Sequence, residues 1–228
     1  MFQELIKLKK GNLNHFYSIL IISCFPIFIL FSSLLTNLFT VILIFFFLNE
    51  IKFNPKYLVK DKILFLLILF WFFILISLFT SIYVENSIPR SLGFVRFILL
   101  AYAVAYYIGL NDFRYYKIII LIWFLIFFIS SVDLFIEYIL GFNLLGNVSY
   151  MPGRLSGFLG DELKIGNYYV GFYFLILAFS IQFFKKQFLS FFIIIFFSLI
   201  AFLIGERANF IKIILGLLIF LIFYEKII

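Results

Sequence analysis

Residues 118–140 read IIILIWFLIFFISSVDLFIEYIL. In lipid only helices and closed barrels satisfy their own backbone groups. A run of this length without strand-like alternation selects the helix, since about 20 mostly apolar residues span the hydrocarbon core. Asp133 and Glu137 are its only charged residues. Carboxylates inside a span are costly unless partners hold them, and the i, i+4 spacing puts these two on one helical face.

The rest of the chain repeats this pattern. Of 228 residues, 66% are hydrophobic and 13% charged, and mean hydropathy is +1.21. Water-soluble domains carry about a quarter charged residues, so a soluble globule is excluded. The 24% aromatic content excludes a disordered chain. With one cysteine, Cys24, and one histidine, His15, there is no disulfide framework, and neither a metal site nor a cofactor is expected. The net charge of +7 sits mostly in short segments between apolar runs, which encodes membrane topology rather than nucleic-acid binding.

The expected fold is all-α, a polytopic transmembrane bundle of about eight spans forming one integral membrane domain over residues 1–228. The spans fall at 16–34, 36–49, 63–83, 91–110, 118–140, 168–184, 188–204 and 208–224. Ser32, Ser33, Thr36 and Asn37 separate the first two, which read as a tight hairpin with a short second arm. With the N-terminus inside, Lys7, Lys9, Lys10, Lys52, Lys56, Lys60, Lys62, Arg114, Lys117, Lys185, Lys186 and Lys226 all lie on the inner side. The outer side holds only Arg90, Arg154, Lys164 and Arg207. This bias puts both termini in the cytoplasm.

The one long outer segment is 141–167, GFNLLGNVSYMPGRLSGFLGDELKIGN, a turn-rich loop by its Gly, Asn, Ser and Pro content. Asp161 and Glu162 favour the start of the helix that follows. Arg96 lies inside its span at a depth similar to that of Asp133 and Glu137. A structural ion pair of Arg96 with Asp133 or Glu137 is therefore expected, either fixing helix packing or contributing to a site. Lys212 is near enough to a span end to snorkel. His15, before the first span, is expected at the membrane interface.

Arg154 and Arg207 stand in short polar contexts on the outer side, Met151-Pro152-Gly153-Arg154-Leu155-Ser156-Gly157 and Gly205-Glu206-Arg207-Ala208-Asn209. A guanidinium fork binds two phosphate oxygens and stays charged at every relevant pH. Flanking glycines let the backbone approach a ligand and offer N–H donors. The bland alternative is that Arg207 caps a helix end or meets lipid headgroups.

Arg154 through Gly166, followed by Asn167-Tyr168-Tyr169, resembles the R-x-S-G-x-x-G-[DN]-x-x-x-x-G segment of the O-antigen ligase and polymerase family. Gly205-Glu206-Arg207-Ala208 resembles that family's later G-[ES]-R-[AGT] element at a span–loop junction. The order of the two motifs and their separation by two apolar spans also fit, as does Val132–Tyr138 before a Gly-Phe-Asn turn. The resemblance covers roughly residues 60–228.

It implies a metal-independent, inverting glycosyltransferase of the bacterial inner membrane, with 141–167 as a periplasmic loop. Such an enzyme moves a glycan from an undecaprenyl-diphosphate carrier to lipid A–core or to a second carrier-linked glycan. By match, Arg154 and Arg207 are the catalytic arginines that hold the diphosphate. The expected substrate-binding set is Arg154, Ser156, Gly157, Arg207 and Arg96. Family members continue into a later loop whose His activates the acceptor, so this chain reads as an N-terminal portion. The competing reading is a transporter or flippase for a lipid-linked or anionic solute, using Arg96, Asp133 and Glu137; a non-catalytic membrane subunit is the third.

Overall fold

A computed structural model describes residues 13–52, 62–81, 83–109, 115–160, 164–183 and 187–224. Among them the order is α1 (Leu13–Phe31), α2 (Ser33–Ile51), α3 (Lys62–Ile76), a 3-10 turn (Ser77–Thr80), α4 (Val84–Gly93), α5 (Val95–Gly109), α6 (Tyr116–Leu140), a 3-10 turn (Gly157–Leu159), α7 (Ile165–Phe183), α8 (Gln187–Leu203) and α9 (Arg207–Tyr224). No strand occurs among the described residues. Five segments are long and apolar enough to cross a membrane: Leu13–Phe31, Ser33–Ile51, Lys62–Thr80, Val84–Gly109 and Tyr116–Leu140. Shorter apolar helices occupy Ile165–Ile181 and Phe188–Leu203. The chain is a helical membrane protein.

Two of the sequence-based spans need correction. The second arm is not short: α2 has 19 residues, about 28 Å at 1.5 Å per residue, and only Ser32 interrupts the helical run after α1. The span read at 91–110 begins earlier, at Val84, and runs to Gly109, with Phe94 alone between α4 and α5. Pro89 lies in α4, and Trp71 Nε1–H donates to the Ser91 carbonyl at 2.9 Å. That donor satisfies an oxygen at the helix end.

The chain divides into two compact units, Met1–Ile22 with Leu34–Lys117, and Ser23–Ser33 with Ile118–Ile228. In the first, Leu43 and Phe47 of α2 and Ile98, Ala103 and Tyr107 of α5 are buried with Ile19 and Ile22. His15 is buried rather than interfacial, its ring 5.6 Å from that of Tyr107 and 6.3 Å from that of Tyr115. No side chain of α3 is buried. A helix of Phe, Leu and Ile with no core face is stable only where its surroundings are apolar, as in a bilayer.

The second unit has a denser core. Phe127 of α6 packs on Tyr169 of α7 and Phe197 of α8, with ring centroids 4.4 and 4.9 Å apart. Ser131 Oγ and Tyr169 Oη are hydrogen bonded at 3.0 Å, so the Tyr hydroxyl is not left bare among rings. Ile200, Ile204 and Ile213 extend this cluster to α8 and α9. A Cβ at Gly216 of α9 would run into the Phe174 ring, so that glycine permits the close approach of α9 to α7. The loop from Gly141 and the α8–α9 junction both belong to this unit.

Candidate functional site

The site is built outward from the buried end of α6. Asp133 and Glu137 are 0% and 3% exposed, on one face as their spacing requires. Glu137 accepts hydrogen bonds from the Ser156 N–H at 3.0 Å, the Ser156 hydroxyl at 3.0 Å and the Gly157 N–H at 2.7 Å. Asp133 Oδ1 accepts the Leu144 N–H at 2.8 Å. Both carboxylates thus hold the loop, through charge-assisted bonds to its backbone. Arg96, the partner expected for them, belongs to the other unit; it is exposed, with its guanidinium 4.9 Å from the Phe97 ring centroid.

A second anchor is Asn143, which is buried. Its Nδ2 donates to the Gly157 carbonyl at 2.6 Å, and its Oδ1 accepts the N–H groups of Leu145 and Asn147 at 3.0 and 2.8 Å. One amide therefore closes the turn after α6 and ties it to the Ser156–Gly157 strip. Gly157 has φ +56°, and a Cβ there would come within 3.1 Å of Leu134. An L side chain there would be strained by the backbone and would press on Leu134.

The two arginine segments meet next. The Leu155 N–H donates to the Ile204 carbonyl at 3.2 Å. Gly205, at φ +80°, lies so close to the Gly153 carbonyl that a Cβ would overlap its oxygen. This contact brings Met151–Arg154 beside Gly205–Ala208. Together Met151, Pro152, Gly153, Arg154, Gly205, Arg207 and Ala208 line an open recess of about 610 Å³. Arg154 is half-buried and Arg207 exposed. Arg207 and Ala208 form the first turn of α9, so the positive end of the helix dipole faces the same space. Two guanidinium groups, unbonded N–H groups and a helix N-terminus suit a phosphate or diphosphate.

Glu206, adjacent to Arg207, is turned elsewhere. Its Oε1 accepts the Gly166 N–H at 3.3 Å at the start of α7, and Oε2 accepts from Asn209 Nδ2. Asn209 Nδ2 also donates to Asn167 Oδ1 at 3.2 Å, and its Oδ1 accepts from Lys212 Nζ at 3.0 Å. Lys212, expected to snorkel, thus bonds within the first turns of α9. One carboxylate satisfies a free N–H at the start of α7 and the side-chain amide of Asn209 in α9, and this joint fixes the position from which Arg207 projects.

Arg154 and Arg207 are therefore brought together, whereas Ser156 and Gly157 do not line the recess. The N–H groups of both and the Ser156 hydroxyl are engaged by Glu137. Asp161 and Glu162 lie outside the described residues. Asn143 and Glu206 as scaffold residues were missed from the sequence, where neither offers a distinctive signal, whereas the i, i+4 carboxylates of α6 did mark a face with a special burden. Among the described residues no group of His, Cys, Asp and Glu is arranged to hold a metal ion. No protein-family model, curated protein or solved structure matches this chain.

Proposed function

We propose that the chain is the diphosphate-binding part of an O-antigen ligase- or polymerase-like glycosyltransferase, working on the periplasmic side of a bacterial inner membrane. One observation carries this reading: Arg154 and Arg207, from segments far apart in sequence, line a single recess at a helix N-terminus. The motif resemblance supplies the reaction, and the positive-inside bias supplies the orientation, with both termini cytoplasmic and about eight spans. The donor is an undecaprenyl-diphosphate-linked glycan, and the acceptor is lipid A–core or a second carrier-linked glycan.

In this reading an acceptor hydroxyl attacks the anomeric carbon of the donor from the face opposite the diphosphate. The C–O bond to the carrier breaks, and the bonding pair leaves with the diphosphate. Arg154 and Arg207 stabilise the charge that develops on the leaving oxygen, and being fixed donors they need no reorganisation as it forms. The acceptor proton passes to a base outside the groups described here.

Arg207→Ala and Arg154→Ala in the full-length protein are expected to abolish transfer of glycan to the cell surface while membrane insertion is unchanged. Lysine at either position keeps a point charge but loses the bidentate fork, and is expected to restore only part of the activity. Normal glycan attachment and chain length in both alanine variants would overturn the assignment.

A further inference from the structure

The sixteen residues between Glu137 and Arg154 contain no charged side chain. In a loop beside an aqueous phase that is unusual, and its exposed surface is more so. Phe142, Leu144, Leu145, Val148 and Tyr150 are 46%, 56%, 56%, 63% and 64% exposed. Over the first half of the loop the backbone N–H groups and the Asn143 side chain are engaged internally. Each backbone N–H from Asn143 to Asn147 has an intramolecular acceptor: Asn147 O, Asp133 Oδ1, Asn143 Oδ1, Asn143 O and Asn143 Oδ1 in turn. The loop is inside-out, with apolar side chains outward and, over that half, N–H groups satisfied mainly by buried Asp133 and Asn143.

Lipid-exposed irregular backbone does not occur in the hydrocarbon core. A loop of this kind therefore belongs at the interface, where its satisfied backbone can stay shallow while apolar side chains reach into the leaflet. The apolar surface is also continuous with α6, where Phe135, Tyr138, Ile139 and Leu140 are exposed up to the turn at Gly141. We propose that Phe142–Tyr150 is a membrane-immersed lip. Its apolar side chains sit among the acyl chains and upper headgroup region of the leaflet, beside the recess lined by Met151 to Arg154. A phosphate carried on a lipid would then reach the two arginines sideways from the leaflet, without leaving the bilayer. The immersion itself does not rest on the transfer reaction and is measured without it.

Nitroxide labels at Leu145→Cys and Val148→Cys, each in a Cys24→Ser background of the full-length protein, test this in vesicles of phosphatidylethanolamine and phosphatidylglycerol. Phe135→Cys serves as the lipid-facing reference. The expected result is an oxygen-over-nickel-chelate collision ratio at 145 and 148 that favours oxygen, as at 135, at a shallower depth. A ratio favouring the chelate would mean that the loop stands in water. An immobilised label shielded from both quenchers would mean that protein covers it. Either result overturns the proposal, and two label positions guard against one disturbed variant.

Discussion

Glu137 is a carboxylate on a membrane-spanning helix, and it is tolerated because three donors of Ser156 and Gly157 converge on it. Removing the acceptor would strand two buried N–H groups, and each such group costs about 1–3 kcal/mol. Glu137→Ala is therefore expected to lower the melting temperature in detergent and to raise tryptic cleavage after Arg154, although Arg154 itself is untouched. Gln retains one carbonyl oxygen as acceptor and should fall between alanine and the parent. Unchanged melting and cleavage in the alanine variant would show that the carboxylate does not hold the loop. Asp133 has a weaker hold, with one hydrogen bond, from the Leu144 N–H, and a second oxygen buried near Gly157.

At the scale of elements, the site depends on how α8 ends and α9 begins. Gly205 takes a left-handed backbone, a conformation costing a side-chain-bearing residue roughly 1–2 kcal/mol, and it lies against the Gly153 carbonyl. Gly205→Ala adds both the strain and the overlap. The Met151–Arg154 segment must then move away from the start of α9, which separates the two arginines. The expected outcome is a raised donor KM with a smaller change in kcat, together with a lower melting temperature. A parent-like KM and melting temperature would show that the glycine contact does not set the arginine spacing. Glu206 works at the same junction, since it bonds Gly166 at the start of α7 as well as Asn209 of α9.

At the scale of the whole molecule, the basic residues decide the orientation in which the site is presented. In the proposed orientation Lys52, after α2, belongs to the inner group, and Lys164, before α7, to the outer one. In intact cells a membrane-impermeant maleimide is expected to label Lys164→Cys and to leave Lys52→Cys unlabelled until the membrane is opened. The reverse pattern would place the arginine recess in the cytoplasm and remove the periplasmic reaction. The tests separate cleanly, because the immersed lip and the side that it faces are read by different probes.

Much of this protein was legible in its sequence for a local reason: an apolar run of helical length states its own fate in lipid. The helices α6 to α9 begin and end within a few residues of the spans read from hydropathy, and the shared face of Asp133 and Glu137 follows from helical pitch alone. The helical turns over 84–90 were not legible, because Glu85, Asn86, Ser87, Pro89 and Arg90 read as a polar loop. Nor were the partners of the carboxylates. Charge and depth suggested Arg96, whereas the bonds that these carboxylates accept come mostly from backbone N–H groups of the loop, which every residue carries and no composition reveals. The same limit hid the burial of Ser156 and the inward turn of Asn143. Hydropathy belongs to a segment and can be read along it; the choice among many equivalent hydrogen-bond donors is made only when distant segments meet.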